Sequence, residues 1–212
     1  RYTLSWDEID DGDANASNIL QTEAGTRVSS GVGVSLITGS DLRGSAGLGG
    51  ADWSLSFDQD FTGLGGDTDL STTRLRFSAW APIGGSGFAL RSRVELGTVT
   101  NLSGEDPVAT DRFFLGGSAL RGFERGSVSP RDVCFGCGAG GADEVTNLGG
   151  NHFAVARTDL ILPPFQRIPS LEAFVFGDVG TTWGVDTSAA PTGTLFDNRE
   201  FRSSAGIGLS ID

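Results

Sequence analysis

The feature that most limits what this chain can fold into is an alternation of period two, repeated along its length and broken by clusters of Gly, Asp, Asn and Pro. From Phe88 to Thr98 the even positions Phe88, Leu90, Ser92, Val94 and Leu96 are mostly apolar, while Arg91, Arg93 and Glu95 charge the odd ones. Between Asp52 and Phe61 the apolar set is Trp53, Leu55, Phe57 and Phe61, opposed by Asp52, Ser54, Ser56, Asp58 and Asp60. Val28, Val32, Val34 and Leu36 oppose Arg27, Ser29, Gly31, Gly33 and Ser35, and Leu75, Phe77 and Ala79 oppose Arg74 and Arg76. Successive side chains of a strand point to opposite faces, so each segment is a strand with one apolar and one polar side. Tyr2–Glu8, Arg112–Gly117, Ala119–Gly126, His152–Leu162, Leu171–Trp183 and Phe201–Ile211 are further candidates. The fold class is all-β, with about ten strands.

Segments of about ten residues match a tilted crossing of the hydrocarbon layer, whereas strands of soluble proteins typically have about five or six. The charged faces point the same way, because a wet lumen accommodates charge that a sandwich core would leave buried and unpaired. Short spacers such as Pro82–Gly87 and Pro163–Pro169 alternate with long ones such as Asp10–Thr26 and Gly184–Glu200, the habit of outer-membrane barrels. The pattern therefore predicts an antiparallel transmembrane β-barrel. No run approaches the roughly 20 apolar residues of a spanning helix. No signal peptide is visible at Arg1 and no Met occurs anywhere, so the chain is expected to be part of a longer one.

Basic residues number 15, all of them Arg, against 27 acidic ones, for a net charge of −12. That balance argues against nucleic acid as a partner, since binding phosphates needs a basic surface. Cys134 and Cys137 form a Cys-Phe-Gly-Cys unit that supplies only two of the four ligands of a structural zinc, and the lone His152 adds at most one. No metal site is expected. The two readings of the pair are a small loop disulfide and two free thiols. Gly65-Gly66-Asp67-Thr68-Asp69-Leu70 looks like one calcium-binding nonapeptide, but a solenoid needs several repeats and none follows. No catalytic set can be assembled around the single histidine, placed at the start of a strand as a rim residue, so the chain is expected to be neither an enzyme nor cofactor-dependent.

From Asp111 the chain reads Asp-Arg-Phe-Phe-Leu-Gly-Gly-Ser-Ala-Leu-Arg-Gly-Phe, with Val128-Ser129-Pro130-Arg131-Asp132 beyond it. Gly63-Leu64-Gly65-Gly66-Asp67 precedes this stretch. Leu148-Gly149-Gly150-Asn151, Phe176-Gly177-Asp178-Val179-Gly180 with Trp183, and Ser204-Ala205-Gly206-Ile207-Gly208-Leu209 follow it. In this order the motifs resemble the barrel of the BamA family of assembly factors, within the outer-membrane insertase superfamily. The chain departs from that family after Leu36, where Ile37-Thr38-Gly39-Ser40-Asp41-Leu42-Arg43-Gly44 replaces its Tyr-Asp-Thr-Arg element and Pro-Thr-x-Gly turn.

The resemblance implies one barrel domain over residues 1–212, covering strands five to fourteen of the family's sixteen, with the periplasmic POTRA domains and the terminal strands lying outside the chain. It further implies assembly and insertion of β-barrel proteins in the outer membrane of a Gram-negative bacterium. The partners would be outer-membrane lipid, unfolded barrel clients and, through the periplasmic domains, accessory lipoproteins. A TamA-like or two-partner-secretion translocation barrel and a passive porin are the competing functions. In the family a long loop folds back into the lumen, and its motif Arg meets an acidic group of the wall. Carried over, Leu120, Arg121, Gly122 and Phe123 are the motif, Asp178 and Phe176 its lumen partners, and Asp159 lies close by. Periodicity places Glu172, Phe174, Phe176 and Asp178 on one face, opposite Leu171, Ala173, Val175 and Val179, so Asp178 should point inward. The other reading of Arg121 is one solvated lumen arginine among several.

Overall fold

The computed structural model describes residues 2–9, 23, 25–40, 50–63, 65, 68–135, 141, 143–164, 170–185, 195–196 and 199–211. Its strands in chain order are β1 (Tyr2–Ile9), β2 (Gly25–Gly39), β3 (Asp52–Thr62), β4 (Leu70–Ile83), β5 (Phe88–Asn101), β6 (Arg131–Cys134), β7 (Glu144–Asn147), β8 (His152–Ile161), β9 (Leu171–Trp183), β10 (Leu195–Phe196) and β11 (Arg202–Ile211). Eight of them form one sheet in the order β1-β2-β3-β4-β5-β8-β9-β11, every neighbouring pair antiparallel. The short β10, β6 and β7 make a separate three-stranded sheet. Among the described residues β1 and β11 are each paired on one side only.

Register converts the alternation of the sequence into two continuous surfaces. One row of partners runs Leu36, Phe57, Leu75, Leu96 across β2 to β5, and another runs Leu90, Leu160, Val175, Ile207 across β5, β8, β9 and β11. These side chains are largely exposed, Ile207 by 84%. Among the described residues the elements in extensive contact with one another are neighbours within a sheet, and none of them forms a second layer over the apolar face. Water does not favour such a surface, whereas hydrocarbon does. Trp53 near one end of the strands and Trp183 near the other lie on this same face, where a barrel carries its aromatic girdles. The opposite surface holds the row Ser54, Ser78, Arg93, Arg157, Asp178, Ser204. Among the described residues no helix is long and apolar enough to cross a membrane; the crossings are made by strands.

Two of the ten strand candidates are not strands. Arg112–Gly117 and Ala119–Gly126 belong to the connection between β5 and β8, and the only ladder contacts of these two segments among the described residues are the isolated bridges Phe113↔Gly150 and Leu115↔Val128. The alternation of Phe113 and Leu115 is real, but it records packing of a loop against the wall. Gly116, Gly117, Gly122 and Gly126 all have positive φ, and these turns end any extended run. Among the described residues the main sheet thus has eight strands where the alternation suggests about ten. Where the sequence departs from the family pattern, the β2–β3 ladder continues without a break from Gly31↔Thr62 to Gly39↔Ser54; residues 41–49 lie outside the described set.

The buried core lies between loop and wall. Phe113, Leu115, Leu120 and Val128 of the connection pack on Leu70, Val99, Phe153 and Val155 of the inner face. The rings of Phe113 and Phe153 are 4.7 Å apart, and the Arg74 guanidinium lies 5.2 Å above the Phe113 ring.

The two surfaces should respond differently to one charge. Leu75→Arg places a cation in the hydrocarbon band at a cost of roughly 2–4 kcal/mol near the midplane, whereas Ser54→Arg adds one to the wet face beside Asp52 at little cost. Denaturant titration of the full-length protein in liposomes, followed by heat-dependent gel mobility, should show a lower midpoint for Leu75→Arg alone.

Candidate functional site

The connection between β5 and β8 turns back on itself at Gly116. This residue has φ +118, and a Cβ there would stand 1.9 Å from the Glu124 carbonyl oxygen, so only glycine fits. The Gly117 N–H donates to the Phe123 carbonyl at 2.8 Å and closes a tight loop that projects residues 118–122 at the wall. Leu120 is completely buried in the loop–wall core, and Phe123 packs at its edge. Between them Arg121 and Gly122 face the polar surface of β8, β9 and β11.

Arg121 grips Asp178 side-on, with Nε 2.7 Å from Oδ2 and Nη2 2.6 Å from Oδ1. Its Nη2 also donates to Asp159 Oδ1 at 2.7 Å, and its backbone N–H donates to Asp178 Oδ2 at 3.2 Å. The guanidinium carbon lies 4.0 Å from the centre of the Phe176 ring, within the range of cation–π attraction. Asp178 has none of its side-chain surface exposed, Asp159 14% and Arg121 26%. The hydrogen bond to Asp178, opposed by desolvation and supported by Asp159, raises the guanidinium's already high proton affinity. Arg121, Asp178, Phe176 and Asp159 therefore meet at one point. The arrangement can hold a loop against a wall, and it presents no nucleophile with an adjacent base.

Several further residues meet at this point, and the sequence alone gives none of β8, β11 or β5 a role in the loop contact beyond Asp159. Ser204 of β11 donates its hydroxyl to the Arg121 carbonyl at 2.5 Å. Gly122, at φ +83, lies so close that a Cβ would be 3.1 Å from the Ser204 Cβ. Gly206 of β11 is the cross-strand partner of Phe176, and a Cβ there would meet the ring at 2.8 Å, so its bare backbone lets the ring lie flat beneath the guanidinium. Arg157 of β8 donates to the Ser118 carbonyl at 2.6 Å and to Glu95 at 2.8 Å. Arg91 bridges Glu172, at 2.8 and 3.0 Å, to Asp159 at 3.7 Å. A Gly or Ser on the polar face of a strand beside a ring-bearing strand was the available signal for Gly206 and Ser204.

The other singled-out residues lie elsewhere. Cys134, at the end of β6, is disulfide-bonded, and Cys137 falls outside the described residues. His152 opens β8, hydrogen-bonded to the Thr98 hydroxyl at 2.8 Å and tilted over Trp183. Among the described residues no three His, Cys, Asp or Glu side chains converge as metal ligands would.

Residues 1–212 match the Omp85 superfamily domain. Over 211 residues the chain is 29% identical to the outer membrane protein assembly factor BamA of Neorickettsia risticii (strain Illinois). That alignment takes in 98% of this chain but only 26% of the relative, so the chain spans about a quarter of its length. The fold also superposes on the crystal structure of BamA from Haemophilus ducreyi lacking POTRA domains 1-3. There the TM-score is 0.60 at 23% identity, over 88% of this chain and 36% of that one, a likeness of fold. An antiparallel sheet with an uncovered apolar face and a charged inner face, matched along its whole length, leaves one conclusion: the chain belongs to the Omp85 superfamily and forms part of an outer-membrane β-barrel.

Proposed function

We propose that this sheet is the loop-bearing wall of a barrel that assembles other β-barrel proteins into the outer membrane, working without covalent chemistry. The carrying observation is the docking of the β5–β8 connection by Arg121 on Asp178 and Asp159, in a chain whose relative is an assembly factor. A loop whose apolar residues fill the inner face is a poor lining for a steadily open pore, which favours assembly over a passive porin. In hydrocarbon an incoming strand must have every backbone group paired, at several kcal/mol for each one left unpaired. A barrel whose seam opens supplies a paired edge, and a rigid wall opposite keeps the open barrel in shape. The described sheet suits that second role, with outer-membrane lipid on its apolar face. Barrel clients would engage at the seam, and accessory lipoproteins would bind through periplasmic domains. Numbering the wall as strands five to fourteen of the parent barrel belongs to the same reading, with eight crossings among the described residues.

Arg121 would be the anchor of the loop. Truncating it leaves a fully buried carboxylate without its cation, a loss of about 3–5 kcal/mol for a pair of this kind. Lys supplies the charge without the fork and cannot serve Asp178 and Asp159 with the same geometry.

The test uses the full-length protein in liposomes and the folding rate of an unfolded outer-membrane client. The intact protein should accelerate folding. Arg121→Ala should remove most of that acceleration, roughly tenfold or more, because each 1.4 kcal/mol is a factor of ten. A constant ion-selective current with no acceleration would instead make the protein a porin. In the same preparation limited proteolysis of the loop should be fast for Arg121→Ala, intermediate for Arg121→Lys, and slower again when Asp178→Asn is added to Arg121→Ala, since the second change removes the stranded charge.

A further inference from the structure

The same loop carries a second buried cation, in the part of the Asp111–Phe123 motif to which the proposed anchor gives no task. The Arg112 side chain is 1% exposed. Its Nη2 contacts Glu23 Oε1 at 2.5 Å and Asp106 Oδ2 at 3.0 Å, and its Nη1 donates to the Leu148 carbonyl at 3.3 Å. Glu23 Oε2 accepts a further bond from the Ala109 N–H at 2.8 Å, so both carboxylate oxygens are used on this loop. The Asn151 side-chain amide donates to Asp106 Oδ1 and, at 2.6 Å, to the Gly184 carbonyl. One guanidinium thus sits at the junction of the start of the connection, its end, the exit of β9 and the approach to β2.

The placement of Glu23 gives the cluster its meaning. Glu23 is two residues before β2, whereas the loop that it meets rests on β4, β5, β8, β9 and β11. Within the sheet β3 lies between β2 and β4, the nearest strand that carries the loop, about 10 Å along the surface at two strand spacings. The Arg112–Glu23 pair crosses that interval on the polar, loop-bearing side. It is therefore a chord, not a contact between neighbours. Withdrawing the loop at this end requires Glu23 to let go, or the approach to β2 to move with it.

We infer that Arg112 is a second positioning residue of the loop, acting at the long-loop end of the strands and separately from Arg121. Through Glu23 it makes the seating of the loop depend on the curvature of the β2–β5 part of the wall. The apolar residues Phe113, Leu115 and Leu120 lie between the two arginines. Arg121 fixes where the loop touches β8, β9 and β11; Arg112 fixes how far it reaches out of the lumen. The inference concerns the loop alone and stands whether or not the protein assembles others.

The experiment reads loop seating directly. Val99 of β5 is 1% exposed beneath the loop, so Val99→Cys in the full-length protein in liposomes should react with a water-soluble maleimide only when the loop lifts. Glu23→Gln keeps an oxygen for the Ala109 N–H but removes the charge, and it should speed labelling by on the order of tenfold. Arg112→Gln should do the same or more; if that buried change prevents folding, Glu23→Gln alone decides. Glu105→Gln, an exposed acid on the same loop, makes the same charge change and should leave the rate alone. Separate anchors predict that Glu23→Gln combined with Arg121→Lys multiplies the two single effects. Labelling unchanged by Glu23→Gln, or a double variant no faster than Arg121→Lys alone, would overturn the inference. Client folding measured in parallel reports on the proposed function independently, because a loop can lift without that activity being present.

Discussion

An ionised carboxylate with no exposed surface is tolerable only in contact with a cation, and Asp178 is such a group. The path of the long connection follows from that need. Asp178 is fixed by the pleat of β9 on the inner side, two residues from Phe176, and neither β8 nor β11 brings it a cation: its partners across the sheet are Arg157, which is turned to Glu95 and Ser118, and Ser204. The missing charge comes from Arg121, and every glycine-dependent turn around residues 116–122 serves to deliver it. A buried pair is weak support for stability in itself, because desolvation offsets much of the attraction. What it provides is a position: the loop has one low-energy seat, and other seats strand a charge.

The wall is shaped to receive that seat. β11 presents Ser204, Gly206 and Gly208 inward, and the rings of Phe176 and Phe174 lie over the two glycines. A larger residue at 206 would push the Phe176 ring out of its place beneath the Arg121 guanidinium. The outward positions of the same strand, Ile207, Leu209 and Ile211, are among the most exposed apolar side chains of the protein. One strand therefore satisfies two solvents, lipid through its odd positions and a packed polar site through its even ones, as period-two geometry permits.

The strands and their faces were legible because that period is local, so Phe57 and Asp58 declare their sides within a few residues of sequence. Arg121 and Asp178 were legible for a different reason: the motif supplied one and the alternation of β9 aimed the other. What stayed hidden depends on chain segments far apart in sequence. Arg112 meets Glu23 across 89 residues, and nothing near either residue marks the partner. Ser204 and Gly206 belong to a family motif, but nothing near them in sequence shows that they meet Arg121 and the Phe176 ring. The error at Arg112–Gly126 has the same root, since alternate residues packed on a wall read like a strand when only local order is seen, and the four positive-φ glycines do not declare their φ in sequence.

At the loop–wall contact arginine has a structural advantage over lysine. Four described arginines at or beside the loop–wall contact work through more than one N–H: Arg91 is bidentate on Glu172 and also approaches Asp159, Arg157 joins Glu95 to a loop carbonyl, Arg112 joins two acids and a carbonyl, and Arg121 joins two acids. A planar fork with several donors can bridge acceptors that belong to different strands, whereas an ammonium is a point charge on a flexible stem. Because Asp159 is shared by Arg121 and Arg91, the loop anchor is electrostatically continuous with the wall from β5 to β9. Seating the loop and bracing those strands are consequently coupled through one carboxylate, Asp159.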